Sequence, residues 1–197
     1  MPDQFIAFAI YAFVTSITPG PNNTMLLASG VNYGLVRSIP HILGVSLGFA
    51  LMVLVIGAGL GEIFLAVPQA QTVLRWIGCL YLLWLAWKLA TSGPMDNEAQ
   101  EARPPLTFAE AALFQWVNPK CWIMAMGALT TYLPESASLW SVAVLALAFA
   151  LVNAPSVGSW AAFGTILRGW LSSHKRMRAF NIVMALLLVA SLQSIIS

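Results

Sequence analysis

Charge is what this sequence has least of. Asp, Glu, Lys and Arg together make up 8% of the 197 residues, against 59% hydrophobic. A water-soluble domain carries roughly 25% charged residues, so this chain has too few to build a water-facing surface. Its net charge of +2 is too small to mark a nucleic-acid partner. The two cysteines, Cys79 and Cys121, fall in different apolar segments and form no disulfide framework. Glu62, Glu110 and Glu135 sit near the ends of apolar stretches, and no carboxylate lies in the middle of one. Cys, His and carboxylate side chains do not cluster in these stretches, which argues against a metal site or a metal-ion exporter. No cofactor is expected. The N-terminus also lacks the basic region and small-residue cleavage site of a signal peptide and carries Asp3 instead. The first apolar segment is therefore expected to stay in the protein.

What is present is apolar sequence in long runs, with a mean hydropathy of +0.82. About 20 apolar residues cross a bilayer once. The runs at 5–31, 39–66, 72–90, 108–133 and 139–171, and the last one at the C-terminus, predict an all-α integral membrane protein of about six transmembrane helices. Short turns are expected at 68–71 and, rich in basic residues, at 174–178. The fifth run would extend roughly 50 Å as a helix, longer than a bilayer core. Asn153, Pro155, Ser156 and Gly158 are expected to break or kink it.

Residues 91–107 are the most polar stretch and divide the chain into repeats of about 1–90 and 108–197 within one transporter domain. Each half has three spans and opens with a proline-broken helix. Three is odd, so the second half would be inverted relative to the first. Paired interrupted helices in inverted repeats are a transporter plan, with the site near the midplane at the repeat interface. The loops expected on one side, with their flanks, carry Arg37, Lys88, Arg103, Arg168, Lys175, Arg176 and Arg178, and the other side carries only Arg75. The positive-inside bias puts the seven in the cytoplasm and both termini outside.

The breaks carry the chemistry. In Thr18-Pro19-Gly20-Pro21-Asn22-Asn23 each proline lacks an amide hydrogen and displaces the carbonyl four residues back. The carbonyls of Thr15 and Ile17 are thereby released. Pro21 can start a new half-helix, whose first amides, at Asn22, Asn23 and Thr24, would face outward at a positive dipole end. Such a break offers carbonyls to a cation and amides to an anion, and an amino-acid zwitterion has both. The plain alternative is a kink satisfied by neighbouring helices. At the second break, Asn118-Pro119-Lys120, Pro119 releases the carbonyl of Gln115. Lys120 lies mid-span, and an intramembrane charge is a functional hypothesis by default. Snorkelling to the interface would have to reach past thirteen residues to Leu133. Its partner is either the freed carbonyls or a substrate carboxylate. His41 is read as a solvated interfacial histidine, although an imidazole there could relay protons. Gly44 and Gly48, and Gly57 and Gly61, form two GxxxG patterns, read as packing within the fold rather than as a homodimer seam. The eight tryptophans are read partly as interface anchors and given no recognition role.

These residues resemble a known family. The run from Ile17 to Asn23 and the triplet Asn118-Pro119-Lys120 look like the two signatures of the lysine-exporter superfamily, of the LysE/RhtB type. Gly78, Tyr81, Leu82 and Trp84-Leu85-Ala86-Trp87-Lys88 resemble its third span, and Phe180-Asn181-Ile182-Val183-Met184 its last. The resemblance covers essentially the whole chain. It implies six helices, an inner-membrane location, no enzymatic activity, and proton-driven efflux of amino acids or close derivatives. The paired asparagines and the Trp-Leu-Ala-Trp-Lys run look most like the cysteine/O-acetylserine branch, while threonine and homoserine exporters also belong to the superfamily. The expected binding residues are Thr18, Pro19, Gly20, Pro21, Asn22, Asn23, Asn118, Pro119, Lys120 and Asn153. The sequence departs from the pattern in showing no buried carboxylate to carry the proton. A membrane thiol oxidoreductase is the rival from another class. It would place a cysteine beside each break, but only Cys121 does so, because Asn23 stands in the matching place after Pro21.

Overall fold

The computed structural model describes residues 2–60, 68–91, 105–134, 136–171 and 173–193. The regular elements among them are all helical: α1 Pro2–Ile17, α2 Pro21–Tyr33, α3 Leu35–Val55 with a π-helical turn Ile56–Leu60, α4 Pro68–Ala90, α5 Phe108–Val117, α6 Pro119–Tyr132, α7 Leu139–Trp170 and α8 His174–Ala190. Among the described residues, Leu35–Gly59, Thr72–Ala90 and Leu139–Trp170 are each long and apolar enough to cross a membrane alone. The rest of the described apolar sequence lies mostly in shorter helices, with α1 leading into α2 and α5 into α6 across the two proline breaks.

The surface is apolar and part of the interior is polar, the reverse of a soluble protein. Trp87, Ile123, Trp140 and Trp170 are exposed, Trp170 at 79%, whereas Asn23, Gln115, Asn118, Asn153 and Asn181 are buried. Lipid accepts the first set, and only partners inside the protein can satisfy the second. The chain is an all-α membrane protein on these grounds. Helices α3 and α7 form the centre. α2 and α1 pack on α7, α5 packs on α3, and α4 packs on α8. Phe49 of α3 meets Phe149 of α7 edge-on at 4.8 Å between ring centroids, and Phe8 of α1 stacks edge-on against the same ring.

Several boundaries differ from the sequence expectation. Helix α3 starts at Leu35 rather than at 39. The whole turn between α2 and α3 is Gly34, at φ 83°, a left-handed conformation that glycine adopts without strain. Residues 68–71 are the first turn of α4 and not a separate turn, since proline is well suited to the first helical position. Likewise 174–178 is helical, the first turn of α8 capped by Ser173 Oγ. The fifth apolar run is neither broken nor split. α7 is one helix of 32 residues with Pro155 inside it. An isolated proline removes a single amide bond, and no glycine adjoins Pro155 to let the backbone unwind, as Gly20 does between Pro19 and Pro21. Gly44 and Gly48 do pack within the fold: a methyl group at either would overlap Phe108 and Ala111, or Ala112, of α5. Gly61 and the linker residues 92–104 lie outside the described residues.

Candidate functional site at the two helix breaks

The first break runs through residues 18–20, between α1 and α2. Its carbonyls can be accounted for one by one, as buried backbone acceptors require. The Thr15 carbonyl, freed by Pro19, accepts from Thr18 Oγ1 at 3.0 Å. The Ile17 carbonyl, freed by Pro21, accepts from the indole Nε1 of Trp160 at 3.1 Å. Asn23 Nδ2 donates to both the Ser16 carbonyl at 2.8 Å and the Thr18 carbonyl at 2.7 Å. Residues 18–20 separate the two helices, and the carbonyls that the prolines free are spent on this chain's own donors. Trp160, given no role from sequence, is one of them. Thr24 N–H bonds the Gly20 carbonyl at 2.9 Å, so it does not face outward. No side chain caps α2, which leaves the Asn22 and Asn23 amides as the open end of that helix.

The second break is tighter. Asn118 alone separates α5 from α6, and its Oδ1 accepts from Lys120 N at 3.2 Å, capping α6. The Gln115 carbonyl, freed by Pro119, accepts a long bond from Asn118 N at 3.4 Å. The Gln115 side chain, wholly buried, makes a reciprocal amide pair with Asn22 across the molecule: Asn22 Nδ2 donates to Oε1 at 2.8 Å and Gln115 Nε2 donates to Asn22 Oδ1 at 3.3 Å. Gln115 Oε1 also accepts from the Cys121 thiol at 3.1 Å. Cys121 and Cys79 are both free and belong to different core clusters.

Lys120 joins the two breaks. Its ammonium donates to the Thr18 carbonyl at 2.7 Å and Thr18 Oγ1 at 3.0 Å, and lies 3.5 Å from the Pro19 carbonyl. Its partners are thus carbonyls of the unwound segment, although not the two that the prolines free. The one carboxylate with a described side chain, Glu110, accepts instead from Thr107 in a capping box at the start of α5.

A cavity of about 320 Å³, counting the open space at its mouth, lies between the breaks. Gly20, Asn22, Asn23, Asn118, Lys120 and Asn153 line it, together with Gln115, Ser16 and Cys121. Thr18 and Pro19 reach the site through their carbonyls, and Pro21 and Pro119 shape the backbone behind it. Asn153 arrives from the unbroken α7. Its Nδ2 donates to Ser16 Oγ at 3.0 Å, and its Oδ1 lies 3.0 Å from Ser46 Oγ of α3. Of the ten residues expected from sequence, Gly20, Asn22, Asn23, Asn118, Lys120 and Asn153 line this cavity, Thr18 and Pro19 meet its Lys120 through their carbonyls, and Pro21 and Pro119 do not line it. Sequence reasoning missed Gln115, Ser16, Ser46 and Trp160, and only a buried polar residue in an apolar run could have pointed to the first three.

Two atoms of this cavity are left over. Among the described residues, the acceptor Asn23 Oδ1 and the donor Asn118 Nδ2 have no hydrogen-bond partner, although Asn23 is 2% exposed and Asn118 1%. An unpaired buried polar group costs about 1–3 kcal/mol. Both residues line the same cavity as Lys120.

A family model described as LysE type translocator matches residues 13–191. The chain is 36% identical over 190 residues to the cysteine/O-acetylserine efflux protein of Escherichia coli (strain K12), covering 95% of both chains. The protein of the same name from Shigella sonnei (strain Ss046) matches to the same extent, and that from Escherichia coli O139:H28 is 35% identical over the same length. No solved structure matches.

Proposed function

This chain belongs to the LysE type translocator family, a membrane transporter and not an enzyme, and from that premise we propose that it exports a small neutral amino acid of the cysteine and O-acetylserine kind across the cytoplasmic membrane. Its similarity along almost its whole length to cysteine/O-acetylserine efflux proteins supports that substrate class. The observation that carries the site is the Lys120 ammonium held on the Thr18 carbonyl, beside the unpaired Asn23 Oδ1 and Asn118 Nδ2.

In this reading the substrate enters by exchange of partners. Its carboxylate takes the Lys120 ammonium and Asn118 Nδ2. Its α-ammonium takes Asn23 Oδ1 and the Thr18 carbonyl that Lys120 gives up. The Lys120 ammonium, charge-assisted on one side only when it holds a carbonyl, then has a charged partner on both sides of its bond. A zwitterion brings both signs, so no net charge is added to the buried cavity. Because Lys120 belongs to α6 and Thr18 to the α1–α2 break, the same exchange removes one of the ties between the two halves of the molecule, a step toward alternating access. Protons are proposed as the coupling ion.

The packing supports two inverted repeats. In each half the opening broken helix packs on the second span of the other half, α2 on α7 and α5 on α3, and the two third spans pack together as α4 on α8. The test is efflux of labelled O-acetylserine and cysteine from cells with and without the protein, and with Lys120→Met. Efflux is expected to rise with the wild-type protein, and the methionine variant should lose it at least tenfold at equal membrane abundance. Unchanged efflux on expression would refute the substrate class, and wild-type transport by Lys120→Met would refute the site.

A further inference from the structure

His41 stands on α3, and it is not the solvated interfacial residue that its sequence position near the start of the span predicts. It is 1% exposed. Among the described residues neither Nδ1 nor Nε2 has a hydrogen-bond partner. A histidine buried with both ring nitrogens unpaired needs an explanation, because buried polar atoms are nearly always satisfied. The ring lines a second cavity, of about 520 Å³ with its mouth, bounded by Ser29, Asn32, Tyr33, Lys88 and Leu106 among others. This cavity is distinct from the one between the breaks.

Buried polar side chains lead from the first cavity toward His41. Ser16 and Asn153 line the first cavity, and Ser16 accepts from Asn153. Asn153 meets Ser46, which also lies 3.0 Å from the Ile42 carbonyl. Ser46 and His41 are on the same helix, five residues or roughly 7.5 Å of rise apart. Beyond His41, Ser38 and Ser29 share a bond of 2.8 Å, and Asn32 and Asn181 form a second reciprocal amide pair. Polar and ionisable groups buried within a membrane span are costly, and they mark ion and proton pathways.

We propose that His41 is the proton-binding group of this transporter, receiving a proton along this polar seam and releasing it into the second cavity. The proposal rests on the export reading above. It assigns the function that no mid-span carboxylate of this chain can serve, to the side chain whose ordinary titration range lies nearest neutrality. The proton forms an N–H bond at one ring nitrogen on loading, and that bond breaks as the proton passes to the water of the second cavity. The imidazole returns to its neutral form, so atoms and charge balance over the cycle. Among the described residues, the charged and titratable groups around it are few. Tyr33 of α2 and Lys88 of α4 lie on the cavity wall. Glu110, in the first turn of α5, is the one charged residue of that helix. The only charged residue of α7, Arg168, stands beside Gly34 at the start of α3, and α8 brings Leu188 to the cavity.

The experiment uses the full chain in proteoliposomes, with labelled O-acetylserine as substrate and a trapped pH-sensitive dye. Wild-type vesicles should exchange internal for external label, and should also accumulate label under an imposed pH gradient with matching dye response. His41→Gln and His41→Asn keep a polar amide in place of one or other ring nitrogen. Both should retain exchange within about twofold and lose gradient-driven accumulation and the dye response at least tenfold. Gradient-driven accumulation at the wild-type level in either variant would overturn the proposal. Loss of exchange in both variants would also overturn it and make His41 a packing residue. Failure of the wild-type protein to exchange the label at all would instead overturn the export reading.

Discussion

Lys120 was legible from the sequence because a charge in an apolar run has no cheap location. Its partner was not, since Thr18 accepts through its backbone and any residue there would offer the same carbonyl. The ammonium must release that carbonyl when substrate binds, and a guanidinium, larger and planar with a fixed fork of donors, would hold two carbonyls at once. Lys120→Arg should therefore insert normally and still export at least fivefold more slowly than wild type; equal rates would show that only the charge matters. Trp160 teaches the converse. Tryptophan near a membrane surface is ordinary, so nothing in the sequence separates Trp160 from the exposed Trp140 and Trp170. Its indole nevertheless satisfies the Ile17 carbonyl. Trp160→Phe keeps most of the packing and leaves that acceptor unpaired, at a cost of about 1–3 kcal/mol. The detergent-solubilised variant should melt several degrees lower than wild type, and an unchanged midpoint would mean that the carbonyl finds water instead.

At the scale of elements, the two breaks were legible because they need special residues, whereas the break that Pro155 and its neighbours offered in α7 is not made. A proline signals a lost hydrogen bond, but whether the backbone unwinds depends on its neighbours. Pro19 and Pro21 act together around Gly20, whereas Pro155 acts alone within 32 helical residues. The double variant Pro19→Ala, Pro21→Ala should restore helical hydrogen bonding through residues 15–21 and withdraw the Thr18 carbonyl from Lys120. Export should fall tenfold or more while membrane abundance holds. Pro155→Ala should change export by less than twofold, because no carbonyl of the cavity depends on it. If the two variants behave alike, the prolines of the first break are only kinks. Helix starts were less legible still: at Leu35 and Pro68 the chain turned helical earlier than its hydrophobicity did, since capping and backbone geometry, not apolar character, set the boundary.

For the whole molecule, the apolar exterior and membrane class followed from composition alone, but the bringing together of loops required the fold. The ends of α2 and α4 and the start of α5 meet at the second cavity, where Tyr33, Lys88 and Leu106 share a wall. Arg168, near the end of α7, stands beside Gly34, and Arg176 of α8 donates to the Trp170 carbonyl. The end of α2, the start of α3, the ends of α4 and α7 and the residues leading into α5 are thus on one side of the molecule, with Lys88 and Arg168. At the other side, Tyr132 at the end of α6 donates to the Ala7 carbonyl near the start of α1, and Phe5 and Trp140 line one cavity. The N-terminus therefore shares a side with the α6–α7 junction. Basic loops stay in the cytoplasm during insertion, so this division predicts that the N-terminus faces outward, and an even number of spans returns the C-terminus to the same side. A variant with Cys79→Ser and Cys121→Ser supplies the background, serine at 121 keeping a donor for Gln115. Asp3→Cys and Ser197→Cys, introduced separately, should each react with an impermeant thiol reagent in intact cells, to the extent seen after lysis. Labelling of both only after lysis would reverse the orientation. Labelling of one terminus alone would require an odd number of spans and would remove the inverted repeat, because two three-span halves cannot then account for the chain.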